Sequence, residues 1–349
     1  MASIDLRSVD SPRWRRTAGL FLAGIALLVA GVSASLLVGD LPISPHTAWE
    51  ALFGHQPEST PHVIVREWRL PRAIADVLVG ASLATAGAVM QCMTRNPLAS
   101  PSIMGLNAGA SFATVVAMVV WPALGRPGLM LTAIAGATLG AALVYGLGAL
   151  SRGGLTPVRL ALTGVATSAV LGAIGSGVMI YAELGQDVTL WYARGTENVQ
   201  WMDVALFTPL FVVGMLVALG IGPALNVMSL GQATAVGLGQ RTKRMQFIAS
   251  AVVLMLAGGA VAVAGPVGFV GLMAPHMVRM LMGHDQRVAI PVSALGGALL
   301  LLAADIGARL ATTPYRAAVP VGVVTSLLGV PFFLYLACRG AGVAQGGRR

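Results

Sequence analysis

Residues 265–287 read GPVGFVGLMAPHMVRMLMGHDQR and follow an apolar run, 247–264, that contains no charge. Pro266 and Pro275 predict two breaks in any helix here, because proline removes a backbone donor and clashes with the preceding turn. The piece between the two prolines is too short to cross a bilayer by itself. Broken helices at membrane depth are tolerated only where protein covers them or where they line a cavity. The stretch therefore predicts a broken transmembrane helix inside a larger bundle.

The composition excludes a soluble fold. Of the 349 residues, 56% are hydrophobic and 10% are charged, and the mean hydropathy is +0.81. Soluble domains carry about 25% charged residues. The sequence thus predicts an all-α, polytopic membrane protein, whose 44 glycines allow close helix contact. We interpret the net charge of +9 as a topology signal and expect no nucleic-acid partner, because no soluble basic domain is present.

Acidic and basic segments alternate along the chain. Residues 40–67 and 183–203 are rich in acidic side chains and are expected on the outer side of the membrane, opposite the cytoplasm. The loop at 226–244 ends in a basic cluster and is expected in the cytoplasm, where basic residues collect. A chain that crosses the membrane ten times places the acidic segments on the outer side and the basic segments in the cytoplasm.

These spans predict one transmembrane domain over residues 1–349, with about ten helices, several of them short or broken. Arginines before the first span place residues 1–17 in the cytoplasm, and ten spans return residues 340–349 to the same side. The first apolar run, 18–38, is not followed by a convincing cleavage site and is interpreted as a retained helix.

The sequence lacks the groups of an enzyme or of a metal site. Its single lysine, Lys243, follows Thr242, whereas a phosphate-binding P-loop needs Gly-Lys-Ser/Thr. The five histidines show no HExxH or other metal-ligand spacing. No GxSxG turn indicates a hydrolase. We therefore expect no catalytic residue, no metal and no cofactor.

A few charged side chains fall at membrane depth, where they are costly and count as functional candidates. Asp305 and Arg309 are four residues apart on one helix, which predicts a local ion pair near the outer end. Asp76 follows Arg72 at the same spacing and has the same explanation. An ion-coupled carrier would show more unpaired acids near mid-membrane, which argues against ion coupling. The full set of charges at this depth is Asp76, Arg159, Arg279, Asp305 and Arg309.

Residues 226–244, NVMSLGQATAVGLGQRTKR, are too polar to span a membrane and too apolar for a free linker. Gly231 and Gly239 bracket a short helical pattern. Such a segment suits docking onto a cytoplasmic partner. A helix lying on the lipid headgroups is the alternative.

A set of short motifs runs in order from about residue 65 to the last span. It comprises Arg69-Leu-Pro-Arg72, Gly80 to Gln91, Arg95-Asn-Pro-Leu-Ala99 with Pro101 and Gly105, Leu230-Gly231, Leu238-Gly239, GFVGLMAPHMVR (268–279), Gly283, Asp285, Arg287, Asp305, Arg309 and PVGVVTSLLGVPFF (320–333). The ordered set closely resembles the FecCD permease family, the membrane subunits of ATP-binding-cassette (ABC) importers for ferric siderophores, haem and vitamin B12.

This resemblance implies a type II ABC importer permease fold with ten helices per subunit in the bacterial inner (cytoplasmic) membrane. It also implies a second permease subunit, identical or paralogous, and two separate ABC ATPase subunits that hydrolyse ATP. A periplasmic or lipid-anchored substrate-binding protein would deliver the substrate. The missing P-loop fits this division of labour.

The resemblance further implies two contact sites. Family arginines that match Arg69, Arg72 and Arg309 lie on the outer face opposite glutamates of the binding protein, and a guanidinium can hold a carboxylate with two hydrogen bonds. The loop between spans six and seven enters a cleft of the ATPase, which implies a coupling role for this chain's cytoplasmic loop. The coupling residues expected there are Leu230, Gly231, Ala235, Leu238 and Gly239.

The substrate is left open by the sequence. A ferric siderophore is favoured because it is the commonest use of the family, and haem or vitamin B12 are alternatives within it. An ion-coupled carrier acting alone and a membrane enzyme are alternatives from other classes. Many family members have glutamate two residues before the proline that opens the last span. Ala318 stands there in this chain, so the outer mouth is more positive, which suits an anionic ligand or a more acidic binding protein.

Overall fold

The computed structural model describes residues 11–54, 58–150, 157–185, 195–311 and 319–346. Within these ranges the chain is helical and forms no strand. Ala318, which stands where many members of the resembled family have glutamate, lies outside the described residues. Residues 1–10 and 347–349 of the predicted cytoplasmic tails also lie outside them.

The α-helices of the described ranges are numbered in chain order. They are α1 (Ser11–Leu37), α2 (Pro45–Phe53), α3 (Thr60–Val63), α4 (Leu70–Thr94), α5 (Leu106–Val120), α6 (Arg126–Leu150), α7 (Pro157–Tyr181), α8 (Trp201–Ser229), α9 (Gln232–Gly237), α10 (Thr242–Ala264), α11 (Val270–Met282), α12 (Gln286–Ala311) and α13 (Val321–Gly346). A π-helical turn, Ile64–Arg69, joins α3 to α4, and a 3-10 turn, Pro101–Met104, precedes α5.

Ten of these helical segments are apolar. Seven are long enough to cross a membrane, among them the continuous segment from α3 through α4. Three are shorter, namely α5, α11 and the part of α13 from Val321 to Tyr335. The prediction of an all-α membrane protein with about ten helices, several of them short, is confirmed. Helical structure also extends into both predicted tails, since α1 begins at Ser11 and α13 ends at Gly346.

The predicted second break at Pro275 is wrong, because α11 continues through this proline. The chain breaks once here, over residues 265–269, where Phe269 adopts a left-handed conformation with φ of 64°. Pro275 has no N–H to donate to the carbonyl of Gly271. The side-chain amide of Gln91 donates to that carbonyl instead, at 3.4 Å. A partner from α4 thus replaces the lost helix hydrogen bond, as a proline inside a membrane helix requires.

The central helix of the described structure is α4. Every residue over 79–92 is buried, and the helix contacts α8, α10, α11 and α12. A Cβ at Gly80 would lie 2.3 Å from the carbonyl oxygen of Gly297 on α12, and one at Gly87 would lie 1.8 Å from that of Gly271 on α11. The backbones of these helices therefore touch at glycines, which permit the closest approach of helices in lipid.

Both α4 and α12 are long enough to separate two faces of a membrane. They have 25 and 26 residues, or roughly 38 and 39 Å, against about 30 Å for the hydrocarbon core of a bilayer. The two helices pack against each other along their length. Groups at the start of α4 and at the end of α12 therefore lie at one end of the bundle, and groups at their other ends lie at the opposite face.

Candidate functional site

Arg69, Arg72 and Arg309, the candidates for docking, line one cavity of about 330 Å³. Arg69 ends the π-helical turn before α4, Arg72 lies in the first turn of α4, and Arg309 lies in the last turn of α12. Two acidic residues, Asp40 and Glu197, line the same cavity. The fold therefore brings together, at one end of the bundle, the three arginines that were predicted to contact a binding protein.

Arg69 closes the end of α1. The residue is only 6% exposed. Its Nη1 donates to the carbonyls of Leu36 at 2.8 Å and Leu37 at 3.0 Å, and its Nη2 donates to that of Leu41 at 2.6 Å. The last carbonyls of a helix have no partner within the helix, and a cation at this end also favours the helix dipole. This stabilising role has no signal in the sequence, because Arg69 is more than thirty positions away from α1.

Arg72 and Arg309 share one fully buried carboxylate, that of Asp305. Arg72 donates to Oδ1 from Nη2 at 2.6 Å and from Nε at 3.0 Å, and Arg309 donates to Oδ2 from Nη2 at 2.6 Å. Arg309 Nη1 also donates to the carbonyls of Ser35 at 2.8 Å and Val38 at 3.0 Å. The predicted local pair of Asp305 and Arg309 is confirmed. It forms part of a larger network that joins α1, α4 and α12.

The predicted pair of Arg72 and Asp76 is wrong, because Arg72 turns instead to Asp305 on the neighbouring helix. Asp76 is fully buried. Its two carboxylate oxygens have no hydrogen-bond partner of standard geometry within the described ranges, although Thr196 and Asp305 lie beside it. Spacing along one helix gives no information about the acid that a second helix supplies, so the sequence could not reveal this exchange of partners.

Internal contacts leave little guanidinium surface facing the cavity. The side chains of Arg72 and Arg309 are 15% and 10% exposed. Trp68, which also lines the cavity, is 57% exposed and presents a large apolar surface beside them. The arginine cluster, which consists of Arg69, Arg72 and Arg309, therefore stabilises the contact between the end of α1, the start of α4 and the end of α12. Its contact with an acidic partner stays a prediction.

The second candidate site is the predicted cytoplasmic loop, and the short helix expected there is confirmed as α9. Gly231 precedes this helix with φ of 115°, and Gly239 follows it with φ of 80°, conformations that favour glycine. Ala235 on α9 is fully buried. Leu230 and Leu238, on either side of α9, are each 65% exposed. The loop thus packs against the bundle through Ala235, and the side chains of Leu230 and Leu238 face outward.

This loop contacts the ends of the long helices through a close approach of Arg95 and through hydrogen bonds of Asn226. Arg95 follows α4 with φ of 51°, and its Nη1 lies 3.5 Å from the place where a Cβ on Gly231 would stand. Asn226, near the end of α8, donates from Nδ2 to Asp285 Oδ1 at 2.6 Å and accepts from the backbone N–H of Gln286 at 2.8 Å. The start of α12 is therefore attached to the helix that leads into α9, at the opposite end of the bundle from the arginine cluster.

Comparison with known proteins gives matches over most of the chain. The sequence model of the FecCD transport family matches residues 27–339. The iron(3+)-hydroxamate import system permease protein FhuB of Bacillus subtilis (strain 168) is 47% identical over 320 residues, which are 92% of this chain and 83% of that protein. The Fe(3+)-citrate import system permease protein YfmD of the same organism is 43% identical over 321 residues, 92% of this chain and 95% of that protein.

A solved structure has the same fold over nearly the whole chain. It is described as an inward-facing conformation of a metal-chelate type ABC transporter. The TM-score is 0.80 at 26% sequence identity, and the match covers 92% of this chain and 99% of that chain.

Replacing Asp305 with asparagine is expected to destabilise the protein strongly, because the guanidinium groups of Arg72 and Arg309 would lose their shared counter-charge inside the bundle. Removing one partner from a buried ion network costs about 3–5 kcal/mol. The measurement is the unfolding temperature of the purified protein in detergent.

The matched control is Asp203→Asn. Asp203 pairs with Arg126 at 3.2 Å in a setting where the arginine side chain is 44% exposed. Loss of such a pair costs about 0–1 kcal/mol, and the Oδ1 of asparagine can still accept the hydrogen bond that Asp203 receives from the backbone N–H of Gln200. Equal unfolding temperatures for the two variants would contradict the role assigned to Asp305.

Proposed function

This chain belongs to the FecCD transport family, and we propose that it is the permease subunit of an ATP-driven importer that carries a ferric siderophore across the bacterial cytoplasmic membrane. The observation that carries the proposal is the family match over residues 27–339, together with relatives named for ferric hydroxamate and ferric citrate import. The predicted type II ABC importer permease fold is confirmed by the likeness to the metal-chelate type transporter.

Three kinds of partner complete the importer in this proposal. A second permease subunit forms the pathway together with this chain, two ABC ATPases supply the energy, and a substrate-binding protein delivers the chelate. The chain contains no Gly-Lys-Ser/Thr motif, so ATP hydrolysis belongs to the separate ATPase subunits. Basic residues near both termini and an even number of spans support a cytoplasmic position for both tails.

The loop around α9 is the proposed coupling element. Its exposed side chains, Leu230 and Leu238, suit insertion into a cleft of another protein, because exposed apolar groups gain from being covered. Closure of the ATPases on binding ATP would move this loop. The contact of Asn226 with Asp285 and Gln286 would pass the displacement to α12, whose far end lies in the arginine cluster.

The arginine cluster is the proposed docking site for the binding protein. Arg69, Arg72 and Arg309 line one cavity and turn a small part of their guanidinium surface towards it, with the exposed Trp68 beside them. Tryptophan and arginine are the residues that most often dominate the energy of protein interfaces. Acidic side chains on a binding protein would complement this surface and raise the rate of its association.

The coupling role predicts that replacing both Leu230 and Leu238 with serine lowers the number of chelates transported per ATP hydrolysed. The expected effect is about tenfold, equivalent to about 1.4 kcal/mol of lost coupling contact. Transport and hydrolysis would be measured together in proteoliposomes that contain the complete importer. Phe247→Ser is the control, since Phe247 is 76% exposed on α10 outside the loop. Normal transport per ATP in the double variant would show that the loop does not couple.

The docking role predicts that Arg72→Met, in an importer that still assembles with its ATPases, binds the binding protein about tenfold more weakly. The difference should shrink as salt is added, because salt screens charge attraction. Affinity would be measured on importer in lipid nanodiscs. Arg66→Met is the matched control, because Arg66 lies in the same π-helical turn and does not line the cavity. The docking assignment is wrong if both variants bind equally well.

The substrate class predicts that deletion of the gene abolishes uptake of a radiolabelled ferric siderophore by iron-starved cells. The intact gene should restore uptake, and a copy with the serine substitutions at Leu230 and Leu238 should not. Haem and cobalamin serve as comparison substrates. If only haem or cobalamin uptake were lost, the assignment as an importer permease would stand and the assignment of a siderophore as substrate would be wrong.

A further inference from the structure

A second cavity, of about 490 Å³, lies between α5, α7 and the break that separates α10 from α11. Ligand sites in proteins occupy roughly 300–1,000 Å³. The polar groups of the lining are the amide of Asn107 and the hydroxyls of Ser111 and Ser176, and the remaining surface is apolar or glycine. None of the described residues that line this cavity carries a charge.

The cavity lies at membrane depth. Its residues on α7, 171–179, lie about 21–33 Å along a helix of roughly 37 Å. Pro266, within the break over residues 265–269, forms part of the wall. Non-helical backbone at this depth is tolerated where it is covered by protein or lines a cavity.

The side of the cavity formed by α7 is open to a bulky solute. A Cβ added at Gly172 would meet no atom within 4 Å, and Ser176, one turn further along, is exposed. On the opposite wall, Ser111 of α5 lines the cavity, although the residue as a whole is only 7% exposed. A ligand could therefore approach the backbone of α7 at Gly172 and form hydrogen bonds with hydroxyl groups on both walls.

The net charge of an iron chelate determines whether it can bind in a cavity with this uncharged lining. In a ferric trihydroxamate, three deprotonated hydroxamates cancel the three charges of the ferric ion, so the complex is neutral when the ligand carries no other ionised group. Ferric citrate complexes retain uncoordinated carboxylates and a net negative charge. Placing an anion at membrane depth without a cation is costly. Asparagine and serine, by contrast, can donate hydrogen bonds to the oxygens of iron-bound hydroxamates, and they can both donate to and accept from amide groups of the ligand.

We propose that this cavity binds an electroneutral ferric chelate, of the trihydroxamate class, during its passage through the permease, and that the uncharged lining selects against anionic chelates. The inference rests on the proposed function as an importer of ferric chelates. It adds a substrate class to that function and a place where the class is recognised.

The test uses the complete importer, with both ATPases, the second permease and the binding protein, in proteoliposomes. Gly172→Phe directs an aromatic ring into the cavity and should lower transport of a radiolabelled ferric trihydroxamate by about tenfold or more, with subunit assembly and basal ATP hydrolysis retained. Gly177→Phe is the control, because Gly177 is equally open on the same helix and does not line the cavity. Equal transport by the two variants overturns the inference.

A second variant, Ser176→Arg, tests the role of charge. Equilibrium dialysis of the importer without its binding protein measures the affinities of ferric citrate and of the trihydroxamate, so that the selectivity of the binding protein does not enter. The ratio should shift towards ferric citrate by about tenfold, and an unchanged ratio overturns the proposed selectivity. Failure of the proposed function is distinct, since the unaltered importer would then transport neither chelate.

Discussion

The carboxylate of Asp305 holds three helix ends together. It receives hydrogen bonds from Arg72 at the start of α4 and from Arg309 on its own helix, and Arg309 in turn binds the last carbonyls of α1. Water does not reach the side chain of Asp305, so its charge must be satisfied by the protein. Because Asp305 is fully buried, the positions of α1, α4 and α12 depend on one another at this end of the bundle.

Glycine contacts complete the same arrangement nearer the middle of the bundle. Gly80 and Gly297 bring the backbones of α4 and α12 together, and Gly87 and Gly271 do so for α4 and α11. Lipid offers no hydrophobic driving force between helices, so close packing and internal hydrogen bonds must supply the attraction. A rigid pair of long helices results, and it connects the contact of Asn226 with α12 at one face to the arginine cluster at the other.

Features that depend on neighbours in sequence could be predicted. Apolar runs specified the ten apolar helices, the spacing of Asp305 and Arg309 specified their ion pair, and flanking glycines specified α9. Features that depend on a second helix could not be predicted. The partner of Arg72 comes from α12, the carbonyls bound by Arg69 come from α1, and the amide that permits Pro275 within α11 comes from α4.

The sequence by itself determined the class of the protein, because hydropathy, the spacing of charges and the order of motifs are local properties that do not need a packed structure to be read. The tertiary structure alone decided which charges share a counter-ion and which uncharged groups of α5 and α7 face one cavity. Ion pairs and cavities form between segments that are distant along the chain, and their distances are set only when helices pack.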